Sequence, residues 1–244
     1  PLPLIDDQYC LTQITFIVNS IVSGRYTGSA ALRSILCTAN GIALTKPNSL
    51  PTDNPRPLGI ESVWLRIACH VAILLAEDPA DKLLHPNQFG VGRGPERAAH
   101  LVRKLTETRT IILFDAVNAF NSAHRHKILE KLYATPELAP VWGVTDFCYG
   151  IPTEVLFYGP DRKLAAQLLS QEGVRQGSVL GPLLFSLVID SVLRQLNDRA
   201  PWIALAYLDD LIMALDDNDV PEALALVTAL LREIGLEVNM TKTC

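Results

Sequence analysis

Apolar residues fall in short runs whose spacing changes along the chain, with proline- and glycine-rich joints between them. Residues 60–76 (IESVWLRIACHVAILLA) and 95–107 (PERAAHLVRKLTE) are spaced for helices, the second with Pro95 in its first turn. Residues 110–115 (TIILFD) make a β-branched apolar run, which predicts a buried strand ending on an aspartate. A helix is expected over 123–133, a hairpin over 154–158 and 164–169, and a long helix over 178–197. Residues 203–215 (IALAYLDDLIMAL) read as two apolar strands joined by a tight Asp209–Asp210 turn. An amphipathic helix over 221–234 stops at Gly235, and 236–240 looks like a last strand. Residues 46–57 hold four prolines and 83–94 hold Pro86, Gly90, Gly92 and Gly94, so both are loops. Strands and helices mix without strict alternation, which predicts an α+β fold: an antiparallel sheet with helices packed on one face.

Composition changes this picture little. The 244 residues are 49% apolar and 19% charged, enough for one large domain or two packed ones. No apolar run is long enough to span a bilayer, so no membrane role is expected. Cys10, Cys37, Cys69, Cys148 and Cys244 are scattered without a C-x-x-C pair, which argues against a zinc site and for reduced, intracellular thiols. Nothing separates nucleus from cytoplasm. The chain begins with Pro1, as expected of a piece of a longer polyprotein.

Charge is uneven. Residues 1–110 hold 11 basic and 9 acidic residues, net +2, whereas 190–244 hold 4 and 10, net −6. An acidic end suits carboxylates that need cations, and any phosphate-binding charge must lie mostly in the first half. If the strand ending at Asp115 neighbours the hairpin carrying Asp209 and Asp210, two or three carboxylates converge. Such a group repels itself and needs a cation, and oxygen ligands suit Mg²⁺. On its own an Asp-Asp turn is as well explained by solvation, but buried flanking strands are more than a solvated turn requires.

Six segments in order resemble the reverse transcriptases. FDAVNAF (114–120), GVRQGSVLGPLLF (173–185), AYLDDLIM (206–213) and GLEVNMTKT (235–243) resemble their successive palm motifs. LTKPNSLPTDNPRPLGI (44–60) and HPNQFGVGRG (85–94) resemble their fingers segments, and the wording of the second palm motif is most similar to non-LTR retrotransposon enzymes. The resemblance implies a right-hand polymerase fold, with fingers and N-terminal helices over 1–109 and mainly palm over 110–244. Part of 123–170 would pack with the fingers, and the thumb is absent. It implies an RNA-directed DNA polymerase that binds an RNA template, a DNA primer and dNTP, and that uses two Mg²⁺ ions, for which Mn²⁺ can substitute.

The same resemblance assigns roles. Asp115, Asp209, Asp210 and the Ala116 carbonyl would hold metal. Lys242 would protonate the leaving group. Lys46 and Arg56 would grip the triphosphate. Ala119, Phe120, Gln176 and Gly177 would shape the nucleotide pocket, with Phe120 excluding a 2′-hydroxyl. Arg93 and Arg97 would contact template phosphates. Leu208 stands where many relatives carry alanine or methionine, beside the pocket. Three alternatives are weighed: a viral-type RNA polymerase, against which Phe120 and Gln176-Gly177 argue; a catalytically inactive scaffold or RNA-binding domain, against which the retained aspartates argue; and a phosphatase or nuclease with a carboxylate metal cluster, which requires neither Phe120 nor Gln176-Gly177.

Overall fold

Asp7 accepts hydrogen bonds from the Tyr9 and Cys10 amides and so caps the first helix, α1 (Gln8–Val22). In chain order there follow α2 (Ala30–Cys37), β1 (Ala39–Leu44), β2 (Arg56–Ile60), α3 (Val63–Leu83), α4 (Pro95–Leu105), β3 (Thr110–Phe114) and the single turn α5 (Ala119–Ser122). Then come α6 (Arg125–Tyr133), α7 (Ala139–Tyr149), β4 (Thr153–Tyr158), β5 (Leu164–Ser170), α8 (Gly181–Asn197), β6 (Ile203–Tyr207), β7 (Asp210–Leu215) and α9 (Val220–Glu233). This computed structural model describes residues 7–25, 30–45, 55–92 and 94–244. Contacts divide the chain into two units.

The first unit gathers Pro1–Ala76, Pro136–Gln171 and Arg175–Leu180. Its sheet has the order β2-β1-β4-β5, with β1 antiparallel to β2 and parallel to β4. Helices α1 and α2 pack against α7, and α2 also meets β4. Ile21, Leu65, Val141 and Val144 are fully buried here. So are the thiols of Cys37, Cys69 and Cys148, which are free and serve as small core residues. Burial, and then the neighbouring Cys148, push the Cys37 thiol up to about 12.

The second unit holds Glu77–Thr135, Glu172–Val174 and Gly181–Cys244. Its antiparallel sheet has the order β3-β7-β6. Ile112, Phe114, Ala204, Ala206, Leu211 and Met213 alternate along the strands and are buried on one face. Helix α8 lies against β6, and α6 and α9 lie against α8. Each large apolar side chain removed from water here contributes roughly 1.5–3 kcal/mol. On the other face, Leu205, Tyr207 and Ile212 pack with Phe89 and with Ala98, Leu101, Val102 and Leu105 of α4. That cover stops short of β3, where Leu113 remains 44% exposed. Both sheet edges are occupied. Beside β6, the Phe89 amide donates to the Ala206 carbonyl (2.8 Å) and the Ala206 amide to the Asn87 carbonyl (2.9 Å). Beside β3, the Leu113 amide donates to the Cys244 carbonyl (2.7 Å) and the Asn239 amide to the Asp115 carbonyl (2.7 Å).

The α+β architecture expected from the pattern is therefore present. Several boundaries differ. The expected helix over 60–76 begins at Val63 and runs through Pro79 to Leu83. The long helix begins at Gly181 rather than 178. The expected strand over 236–240 reduces to one bridge, Ala116 with Val238. The two-residue hairpin loop is Leu208–Asp209, because Asp210 already pairs with Tyr207. Among the described residues no helix is long and apolar enough to cross a membrane.

Candidate active site

The carboxylates gather at one end of the β3-β7-β6 sheet. Phe114 pairs with Leu211, so one further step of the register sets Asp115 opposite Asp210. Phe114 and Leu211 point into the buried face, and alternation turns Asp115 and Asp210 to the opposite, partly open face. Directly opposed residues on one face have Cβ atoms about 4.5–5.5 Å apart. Asp209 completes the group from the turn, following Leu208, whose φ is 56°. A bulky residue in that left-handed region is strained unless its surroundings hold it.

The electrostatics follow from this crowding. Desolvation raises the pKa of Asp210 above the ordinary carboxylate value, and the charges of Asp209 and Asp115 raise it further. Among the described residues Lys242 answers them: its Nζ lies 3.2 Å from Asp115 Oδ2. It is brought there by the turn after Asn239, where the Lys242 amide donates to the Asn239 carbonyl (3.0 Å). Carboxylate oxygens are hard donors of the kind that Mg²⁺ or Mn²⁺ takes. Among the described residues no group of three or more His, Cys, Asp or Glu side chains is placed to hold a metal ion. The Ala116 carbonyl stays out of the local pairing, which runs through the Asp115 carbonyl and the Val117 amide.

Behind the carboxylates, Ala119 is buried at 3% exposure within α5, and half-buried Phe120 stacks on Phe185 of α8 at 4.7 Å with the rings 14° apart. The Val174 amide donates to the Phe120 carbonyl (2.7 Å), tying the start of the second motif to the first. His124 and His126 stack on each other at 5.2 Å. Arg97 is exposed on α4. Lys46 and Arg93 lie outside the described residues.

The other site residues belong to the first unit. Arg56 opens β2 and is exposed. The Gly59 amide of the same strand donates to the Gln176 carbonyl (2.9 Å). Gly177 has φ 93°, and a Cβ there would stand 2.8 Å from the Gly59 carbonyl oxygen, so only glycine suits the position. The residues foreseen for the site thus fall into two groups: Asp115, Ala116, Ala119, Phe120, Asp209, Asp210 and Lys242 in one unit, and Arg56, Gln176 and Gly177 in the other.

Sequence reasoning missed what supports the second group. Arg175 is buried and donates from Nη2 to Glu61 (3.0 Å) and from Nη1 to the Cys37 carbonyl (3.0 Å) and Thr153 Oγ1 (2.7 Å). Its guanidinium also sits 5.1 Å from the Tyr149 ring centre. Glu61 and Arg175 are 114 positions apart, so no local pattern pairs them. The available signal was a lone arginine inside an otherwise apolar and glycine-rich motif.

Residues 44–244 match the family described as reverse transcriptase (RNA-dependent DNA polymerase). The chain is 34% identical over 243 residues to the retrotransposable element SLACS 132 kDa protein of Trypanosoma brucei gambiense, covering 99% of the chain and 20% of that protein. It is 39% identical over 215 residues to the Pol polyprotein of the type-1 retrotransposable element R2 of Nasonia vitripennis, covering 78% of the chain and 20% of that protein. It thus spans about a fifth of the length of these relatives. A solved structure of apo telomerase from Candida tropicalis, truncated from the C-terminal domain, superposes over 86% of this chain and 50% of its own, with TM-score 0.62 and 11% identity, which speaks for the fold. The retrotransposable-element relatives agree with the non-LTR wording of the second motif. With the order of the motifs, the fold and the family match in agreement, this chain belongs to the reverse transcriptase family.

Proposed function

We propose that this domain extends a DNA primer on an RNA template with deoxynucleotides. The observation that carries the reading is the register that sets Asp115 opposite Asp210, with Asp209 in the adjoining turn. In this reading the β3-β7-β6 unit is the palm and the β2-β1-β4-β5 unit serves as fingers. Asp115, Asp209, Asp210 and the Ala116 carbonyl would hold two Mg²⁺ or Mn²⁺ ions. When bound, such ions supply activation of the primer hydroxyl and stabilisation of the leaving phosphate oxygens.

The protein's own side chains do the rest. Lys242 holds Asp115 in place and stands where it can give a proton to departing pyrophosphate. Phe120, braced by Phe185, presents a flat wall that admits a deoxyribose and crowds a 2′-hydroxyl. The loop of Gln176 and Gly177 is tied to β2 through Gly59, and the family's motifs would give those two residues the base and sugar and Arg56 and Lys46 the triphosphate. Phe120 also favours this reading over an RNA-making polymerase. The test is primer extension on an RNA template in Mg²⁺, with dNTPs and NTPs compared. Extension with dNTPs at least about a hundredfold above NTPs is expected, a gap of roughly 2.7 kcal/mol. A preference for NTPs, or no extension at all, contradicts it.

A further inference from the structure

The turn that carries Asp209 contains a conformation its sequence does not favour. Leu208 has φ 56°, although neither glycine nor asparagine stands there, so something outside the hairpin must hold it. The loop before α4 does so. A Cβ built on Gly90 would lie 2.7 Å from Leu208 Cδ2 and 2.8 Å from the Leu208 backbone nitrogen. The first neighbour is the end of a flexible side chain and could swing away. The second is backbone and cannot move without moving the turn. Leu208 therefore occupies the space that any side chain at position 90 would need.

This seat is anchored from below. The Gly90 amide donates to Oε1 of the buried Gln88 (2.9 Å). The strand-like pairing of Asn87 and Phe89 with Ala206 fixes the loop to β6, the strand that leads into the turn. Asn87 Nδ2 donates to Asn197 Oδ1 (3.2 Å) and to the Ala204 carbonyl (3.0 Å). Two turns earlier on α8, Asp190 accepts from the His85 amide (2.6 Å) and from Arg194 Nε (2.6 Å), and Arg194 reaches the Leu83 carbonyl (2.6 Å). Helix α8 thus grips residues 83–87, and the loop beyond them presents the bare backbone of Gly90 to Leu208.

We propose that Gly90 is a positioning residue: its missing side chain seats Leu208 in the left-handed conformation that aims Asp209 at the site opposite Asp115. The proposal rests on the reading that Asp209 is a metal ligand. Two consequences follow. Gly90 and Leu208 act as one contact, so their substitutions should not add. Their effect should fall on cation affinity rather than on folding, as it does for residues that orient metal ligands.

The experiment measures Mn²⁺ binding by the electron paramagnetic resonance of free Mn²⁺ for the native chain, Gly90→Ala, Leu208→Gly and the double variant, with thermal melting alongside. The native chain is expected to bind Mn²⁺. Each single variant should bind about tenfold more weakly with melting little changed, and the double variant should also be about tenfold weaker rather than a hundredfold. Native affinity in either single variant, or losses that multiply, overturns the proposal while leaving the metal site standing. Absence of Mn²⁺ binding by the native chain overturns the functional reading and this inference with it. If Gly90→Ala does not fold, Leu208→Gly decides alone: weakened binding supports the seat and native binding refutes it.

Discussion

In the first unit the Arg175 and Glu61 side chains are 3% and 0% exposed, and each is met by several partners. In the second, Asp115, Asp209 and Asp210 share the partly open end of a sheet, and among the described residues the cation at hydrogen-bond distance is Lys242, on Asp115. Burial decides the difference. A charge taken fully out of water must be answered within the fold, and the Glu61–Arg175 pair is answered by the Cys37 carbonyl, the Thr153 hydroxyl, the Val179 amide and the Tyr149 ring. Carboxylates left near solvent can remain unanswered at small cost, which leaves them available to a cation that arrives later. The first arrangement supports Gln176 and Gly177; the second leaves like charges crowded at the partly open end of a sheet.

Breaking the closed pair should have the largest effect on stability. Glu61→Gln keeps the shape but leaves Arg175 buried without its countercharge, at a cost of about 3–5 kcal/mol. Urea unfolding measures this as a lowered midpoint. A loss below about 1 kcal/mol would mean that the Cys37 carbonyl and Thr153 suffice and that the pair is not the support described here.

The open cluster should respond in the opposite direction. Desolvation, Asp209 and Asp115 raise the Asp210 pKa, so the folded state holds that proton more tightly than the unfolded state. The associated stability is present at acid pH and is lost as pH rises through the raised pKa. Asp210→Asn should therefore stabilise the apoprotein at pH 7, by less than about 1 kcal/mol because the site is largely solvated, and the gain should vanish below about pH 4. Thermal melting across pH checks the sign. A variant less stable than native at pH 7 would show that the carboxylates are not crowded.

The two regions also differed in how far the sequence disclosed them. TIILFD and the two apolar runs over 203–215 are local signals, and all three strands form close to where they were expected. The turn was misplaced by one residue because Asp-Asp is the better turn sequence, and nothing local marks Leu208 for a positive φ: its close neighbour Gly90 is distant in sequence. Helix α7 went unforeseen because Val141, Val144, Phe147, Cys148 and Tyr149 bury it on most sides, which erases the amphipathic period, and Gly143 interrupts it. Strands β1 and β2 pair across the proline-rich stretch, with Ala and Gly weakening their strand character. The strands that carry Asp115, Asp209 and Asp210 were thus legible from local pattern, whereas the Glu61–Arg175 support depends on pairing across 114 positions.

The most direct test of the central claim is anomalous diffraction from crystals soaked in Mn²⁺, for the native chain and for Asp209→Asn. Two peaks about 3.5–4 Å apart, between Asp115 and Asp209, are predicted in the native crystals, with at least one lost in the variant. No Mn²⁺ beside these carboxylates at saturating concentration, or peaks unchanged by Asp209→Asn, would contradict the assignment of this site as the metal centre of a polymerase.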